Sequence, residues 1–122
     1  MAEHDDDPAV AALDELGEQL DRTIAELAMA RVRVTQLARL RVSGLSWCEI
    51  VECEERPLVV ETVSRALDDL GTVGGRFRRE EALALQREDM SISRISRLFG
   101  VTRQRVSALV QERAAVGTEP GA

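Results

Sequence analysis

From Ala9 to about Val42 no proline intervenes, and within that run Leu13, Leu20, Leu27 and Val34 recur every seven residues. The interleaved Leu16, Thr23, Ala30 and Leu37 complete an a/d-like seam over about four heptads. This spacing predicts one long, coiled-coil-like helix. At 1.5 Å per residue, a helix of roughly 30 residues spans about 45 Å, longer than a compact three-helix unit covers. Its apolar stripe must therefore pack on something further, either a second copy or the helix expected around residues 57–70. In the homodimer reading the seam is Leu13, Leu16, Leu20, Leu27, Val34 and Leu37. Gly17 weakens the first turns, and Thr23 and Ala30 make the seam shallower than a row of leucines.

Shorter helices follow. Ser43-Gly44 interrupts the long helix, and Ser46 and Glu49 have capping-box spacing, in which hydroxyl and carboxylate satisfy the free amides of a first turn reciprocally. A short helix is expected from about Trp47 to Cys53. Trp47, the single large aromatic, is expected as a core anchor, with an exposed contact as the alternative. Pro57 suits the first turn of a further helix, whose apolar side is Val59, Val60, Val63, Ala66, Leu67 and Leu70. Gly71 and Gly74-Gly75 are expected to end that helix and to form a hinge. Residues 76–87 then read as a separate helix buried through Phe77, Leu83 or Ala84, and Leu85, with Asp89-Met90 as a turn.

Next, Gly100 stands between two short amphipathic runs, 92–98 and 103 to about 113, capped by Ser91 and Thr102. Ile95 lies five residues before the glycine, and Ser96 is small where two crossed helices must touch. Val101, Val106 and Leu109 commit one face of the second run to a core. This is the pattern of a helix-turn-helix. The opposite face carries Arg103, Gln104, Ser107, Ala108 and Gln111, types that can bond base edges or pass close beside them.

A shift of 45 residues lays Gly44-Leu45-Ser46-Trp47-Cys48-Glu49-Ile50 over Asp89-Met90-Ser91-Ile92-Ser93-Arg94-Ile95. Beyond that the likeness fails, since Glu54-Glu55-Arg56-Pro57-Leu58 stands where the second copy has Phe99-Gly100-Val101-Thr102-Arg103. Two readings stay open. One is a degenerate repeat that kept the packing and lost the DNA-facing chemistry; the other is chance similarity between short capped helices.

At 122 residues the chain fits one compact domain, or a small domain with an appendage. Aromatics are 2% and Tyr is absent, so aliphatic packing of helices is expected and the fold class is all-α: the long amino-terminal helix, short helices and a carboxy-terminal helix-turn-helix. Net charge is −6 but unevenly placed. Residues 1–75 hold seven Arg against sixteen acids, residues 76–113 nine Arg against five acids. Positive charge thus gathers on the helix-turn-helix, and the acidic half is expected to face away from phosphate. All sixteen basic residues are Arg. The expected division is an acidic disordered tail over 1–8, an assembly region over 9–73, the helix-turn-helix unit over 76–114 and a loose tail over 115–122.

The run Leu98-Phe99-Gly100-Val101-Thr102-Arg103-Gln104-Arg105-Val106 resembles the DNA-binding motif of bacterial transcription regulators. The nearest version is the carboxy-terminal region of primary, sigma-70-type factors that reads the −35 promoter element. The stretch from Phe77 to Ala114 is also similar to small actinobacterial helix-turn-helix proteins with a helical amino-terminal half. The sigma likeness stops at the motif, because no promoter-melting region precedes it. The resemblance implies that Thr102 contacts a phosphate or caps its helix. It also implies that Arg103, Gln104 and Ser107 reach base edges in the major groove, with Ala108 and Gln111 beside them. Arg78, Arg79, Arg94, Arg97 and Arg105 are candidates for contacts to the DNA backbone, with solvated helix-face arginines as the alternative for several of them.

Other chemistries have little to build on. His4 is the only histidine, and Asp68-Asp69 and Glu54-Glu55 are adjacent pairs pointing to different sides of a helix, so no catalytic residue, cofactor or metal is expected. Cys48 and Cys53 read as packing or surface thiols, or as a metal or disulfide shared across a dimer; four zinc ligands are not available in one chain. No apolar run approaches a membrane span and the acidic start does not fit a secretory signal, so a cytoplasmic, nucleoid-associated protein is expected. Two functions remain: a homodimeric regulator reading double-stranded DNA at half-sites about one helical turn apart, or a module docking on a sigma factor or RNA polymerase.

Overall fold

The computed structural model describes residues 6–118, with side chains described for 6–111. Residues 1–5 and 119–122, which hold most of the expected acidic tail and the end of the expected loose tail, lie outside the described residues. The fold is all-α: α1 (Pro8–Val42), α2 (Trp47–Cys53), α3 (Val59–Arg87), α4 (Ile92–Phe99) and α5 (Arg103–Thr118). The last helix runs beyond the expected end near residue 113, so residues 115–118 are helical.

Each start has a local cause. The Asp7 carboxylate accepts from the Ala9 amide at 2.9 Å, and Pro8 takes the first position of α1, where no amide is needed. At α2 the capping box forms: the Ser46 hydroxyl accepts from the Glu49 amide at 3.1 Å, and the Ser46 amide donates to the Glu49 carboxylate at 2.9 Å. Hydrogen bonding to the Glu49 carboxylate from the Ser46 amide, and secondarily from the Ser46 hydroxyl, holds the carboxyl below its usual value. Pro57 is not in the first turn of α3, as expected, but ahead of it. The Glu54 carboxylate supplies the cap instead, accepting from the Val59 amide at 2.6 Å.

The expected glycine break is absent, because α3 runs unbroken through Gly71, Gly74 and Gly75 and takes in the helix expected over 76–87. Each interior glycine costs only about 1 kcal/mol relative to alanine. Against that stands a buried stripe, Val59, Ala66, Val73 and Glu80, that keeps a seven-residue interval across the glycines. A Cβ at Gly71 would meet nothing within 4 Å. Gly71→Ala is therefore expected to stabilise the protein by about 0.5–1 kcal/mol, read as a higher urea midpoint. A lower midpoint would show that the glycine serves a bend.

The described residues divide into two compact units, one of residues 6–16 with 73–118 and one of residues 17–72. The first boundary differs from the expected one, since the opening turns of α1 belong with the helix-turn-helix. Glu15 and Arg76 form an ion pair inside that unit. Within 17–72, the Arg33 guanidinium pairs with Glu54 at 3.2 Å and donates to the Glu55 carbonyl at 2.9 Å, tying α1 to the α2–α3 link. Ile50 is the buried residue of α2. Trp47 is exposed, not a core anchor: it opens a seven-residue helix whose single inward position is Ile50, and its ring lies 5.4 Å from the Arg41 guanidinium.

The 45-residue likeness extends to the backbone. Gly44 and Asp89 both adopt positive φ, at 112° and 67°. The Leu45 amide bonds the Leu40 carbonyl as the Met90 amide bonds that of Leu85. Ser46 and Ser91 then cap short helices whose fourth residues, Ile50 and Ile95, are buried. Both segments use one device to turn from a long helix into a short capped one.

Candidate nucleic-acid interface

Three helices meet in the unit that carries α4 and α5. Ala82 from α3, Ile95 from α4 and Val106 from α5 are fully buried together, with Leu85, Met90, Ile92, Phe99 and Val110 packed around them. The expected Phe77, Leu83, Ala84 and Leu85 are half-buried, and Ala82 is the innermost contact of α3. The alanine's small side chain is consistent with a close helix crossing.

The turn behaves as its residues dictate. Gly100 takes φ 69° and ψ 31°, and its amide and that of Val101 both bond the Ser96 carbonyl, which closes α4. Ser96 is buried, with its hydroxyl donating to the Ser93 carbonyl at 2.8 Å. Ser91 caps α4 by accepting from the Arg94 amide at 3.2 Å. The Thr102 hydroxyl accepts from the Arg105 amide at 3.0 Å, so of its two expected roles the cap is formed. Val101, expected in the core, is exposed, because the chain has not yet entered α5 and its side chain lies outside the packed faces.

No family model, curated protein or solved structure matches the chain.

The site is therefore judged on its own geometry. Val106 and Leu109 point inward, and at about 100° per residue Gln104, Ser107, Ala108 and Gln111 lie on the side of α5 away from them. Gln104 and Gln111 are exposed, Ser107 and Ala108 half-buried, and Arg103 and Arg105 flank the face, both exposed. From Met90 to Gln111 there are four arginines, Arg94, Arg97, Arg103 and Arg105, and no acid. All four are exposed. The rest of the unit is less basic than the sequence segment suggested, because Asp6, Asp7, Asp14 and Glu15 belong to it. Positive charge is thus a property of the α4–α5 surface.

The arginines of α3 stand differently. The Arg78 guanidinium lies 4.2 Å over the Phe99 ring, a stacking contact that fastens α3 to the end of α4, and Arg79 is half-buried. Two positions escaped the sequence reading. Ser93, the second residue of α4, accepts from the Arg103 guanidinium at 3.4 Å and orients it across the turn. Phe99, read only as part of the motif, is the platform under Arg78. Both could have been found from the crossing itself, which sets the start of α4 beside the start of α5. Among the described residues no group of three or more His, Cys, Asp or Glu could hold a metal ion, and Cys48 and Cys53 are free and exposed. No helix of the described residues is long and apolar enough to cross a membrane.

Proposed function

We propose that this protein is a transcription regulator that binds double-stranded DNA sequence-specifically as a homodimer, with α5 in the major groove and the nucleoid as its site of action. The observation that carries this reading is the acid-free, four-arginine surface of α4–α5 around a face of Gln104, Ser107, Ala108 and Gln111. Arg103 can bond guanine bidentately and Gln104 adenine. Arg94, Arg97 and Arg105 add backbone contacts without sequence choice. Thr102 holds the start of α5, and Arg78, which is exposed, stacks on Phe99.

Salt dependence tests the reading. Three arginine–phosphate contacts per protomer predict a log–log slope near −2.7, so raising salt from about 50 to 200 mM should weaken binding to a random duplex roughly 40-fold per DNA-binding head. An absence of duplex binding at about 50 mM salt would sink it.

A second reading draws on Leu98 and Val101, both exposed at the helix-turn-helix corner. An apolar corner suits a protein surface, and the partner would then be a sigma factor or RNA polymerase. In that case polymerase, and not duplex, captures the protein at physiological salt.

A further inference from the structure

Asp6 and Asp7 belong to the unit that carries the acid-free arginine surface of α4–α5. With Glu3 and Asp5 they make residues 1–7 a stretch of four acids and no arginine. Asp7 is committed at the root of that stretch, where its carboxylate accepts from the Ala9 amide, and Asp6 beside it is exposed. Glu3, Asp5 and Asp6 are then three carboxylates ahead of α1 with no part in its cap.

Contacts of α1 with α3 place the root. Glu15 pairs with Arg76, while Ala9, Val10 and Leu13 share a groove with Phe77, Glu81, Ala84 and Leu85. Contacts in that order run the start of α1 antiparallel to α3, so Pro8 stands near the level of Ala84 and Leu85. At about 100° per residue Phe77 and Ala84 lie on the side of α3 away from Ala82, which meets Ile95 and Val106. The start of α1 and the helix-turn-helix are therefore brought together by level and not by face. Leu85 packs into the helix-turn-helix core, and the chain turns into α4 just beyond it, with the Met90 amide on the Leu85 carbonyl at 3.0 Å. A helix is about 10–12 Å across with its side chains, and six extended residues span about 20 Å. Residues 1–6 are thus long enough to round the end of α3 and reach the start of α4.

Charge decides what they meet. Arg87 is exposed at the end of α3, but Glu88 and Asp89 are exposed beside it, so the turn as a whole is acidic and repels the stretch. Beyond it stand Arg94, the third residue of α4, and Arg103, drawn to the same place by its bond to Ser93 at 3.4 Å. Both are exposed, and among the described residues neither forms an ion pair.

We infer that Glu3, Asp5 and Asp6 dock on Arg94 and Arg103 of their own chain and compete there with DNA. This rests on the DNA-binding reading above and adds its regulation. A competitor within the chain lowers the fraction of open protein, so it weakens every duplex by one common factor and leaves site preference unchanged.

The test uses the full chain with Cys48→Ser and Cys53→Ser, which removes two exposed free thiols, and a nitroxide on Ala2→Cys. At about 50 mM salt the label should broaden the amide resonances of Ser93, Arg94 and Arg103, and the broadening should fade as added salt screens the charges. It should also fade when Glu3→Gln, Asp5→Asn and Asp6→Asn neutralise the stretch; Asp7 stays, so the cap of α1 is kept. Amides that are never broadened, or that stay equally broadened beside the neutral stretch, overturn the inference. Without the label, the neutralised protein should bind random and selected duplex alike about tenfold more tightly at low salt, the strength of three exposed ion pairs. Equal duplex affinity with and without the acids fails the docking and leaves the regulator reading standing. Charge-dependent broadening in a protein that binds no duplex in either form upholds the docking and fails the regulator reading.

Discussion

Replacing Arg103 and Gln104 together by alanine is expected to lower affinity for the preferred duplex roughly 30- to 10⁴-fold. The range follows from about 1–3 kcal/mol of base discrimination for each bidentate contact. Random duplex should lose far less, since one of the four exposed arginines of α4–α5 is removed and three remain. Stability should hold, because both side chains are exposed and the contact of Arg103 to Ser93 is a surface one at 3.4 Å. Anisotropy titrations on a selected site and on random sequence, with urea melts of the same samples, read all three quantities. If the double variant keeps its site preference, α5 does not read bases through this face. Ser93→Ala is the useful companion: it leaves the guanidinium in place and removes only the hydroxyl that orients it.

The helix-turn-helix was legible because local chemistry and tertiary need coincide there. Ser91 and Thr102 have to cap, Gly100 has to accept a left-handed backbone, and Ile95, Val106 and Leu109 have to face inward; each does. Where the two diverge, the sequence misleads. Gly71, Gly74 and Gly75 are local breakers, yet the stripe from Val59 to Glu80 carries α3 through them. Trp47 is the largest apolar side chain, but a seven-residue helix offers one inward position and Ile50 holds it.

The heptads of α1 show a different limit. The series Leu13/Leu20/Leu27/Val34 and Leu16/Thr23/Ala30/Leu37 read together as one a/d-like seam, and periodicity does not divide them between an inner and an outer side. In the fold the second series turns inward with Ala12 and Gln19, and the first turns outward. Packing between long helices favours small residues at close approach, which suits Ala12, Thr23 and Ala30 on the inner side. Asp14 and Glu15, near the start of α1, fall by sequence in the assembly region, though residues 6–16 belong to the unit that holds α4 and α5. Segment charge could not anticipate that, because it follows the chain and not the fold.

Ile95→Ala should be the most destabilising single substitution in the helix-turn-helix. Ile95 is fully buried between Ala82 and Val106, one residue from each of the three helices that meet there. Removing its side chain forfeits apolar burial and leaves a cavity, together costing about 2–5 kcal/mol. Small domains hold only about 5–15 kcal/mol in total, so this unit loses a large share of its stability. Leu98→Ala, three residues on but exposed, should stay within about 0.5 kcal/mol. Urea denaturation with hydrogen exchange on the amides of α4 and α5 measures both. The functional consequence separates this variant from the recognition-face pair: Ile95→Ala should weaken specific and random duplex in the same proportion, because it removes the folded reader, whereas Arg103→Ala with Gln104→Ala leaves the reader folded and removes its selectivity. Equal loss of stability at Ile95 and Leu98 would mean that the three-helix packing around Ala82 and Val106 is not what holds α5 in place.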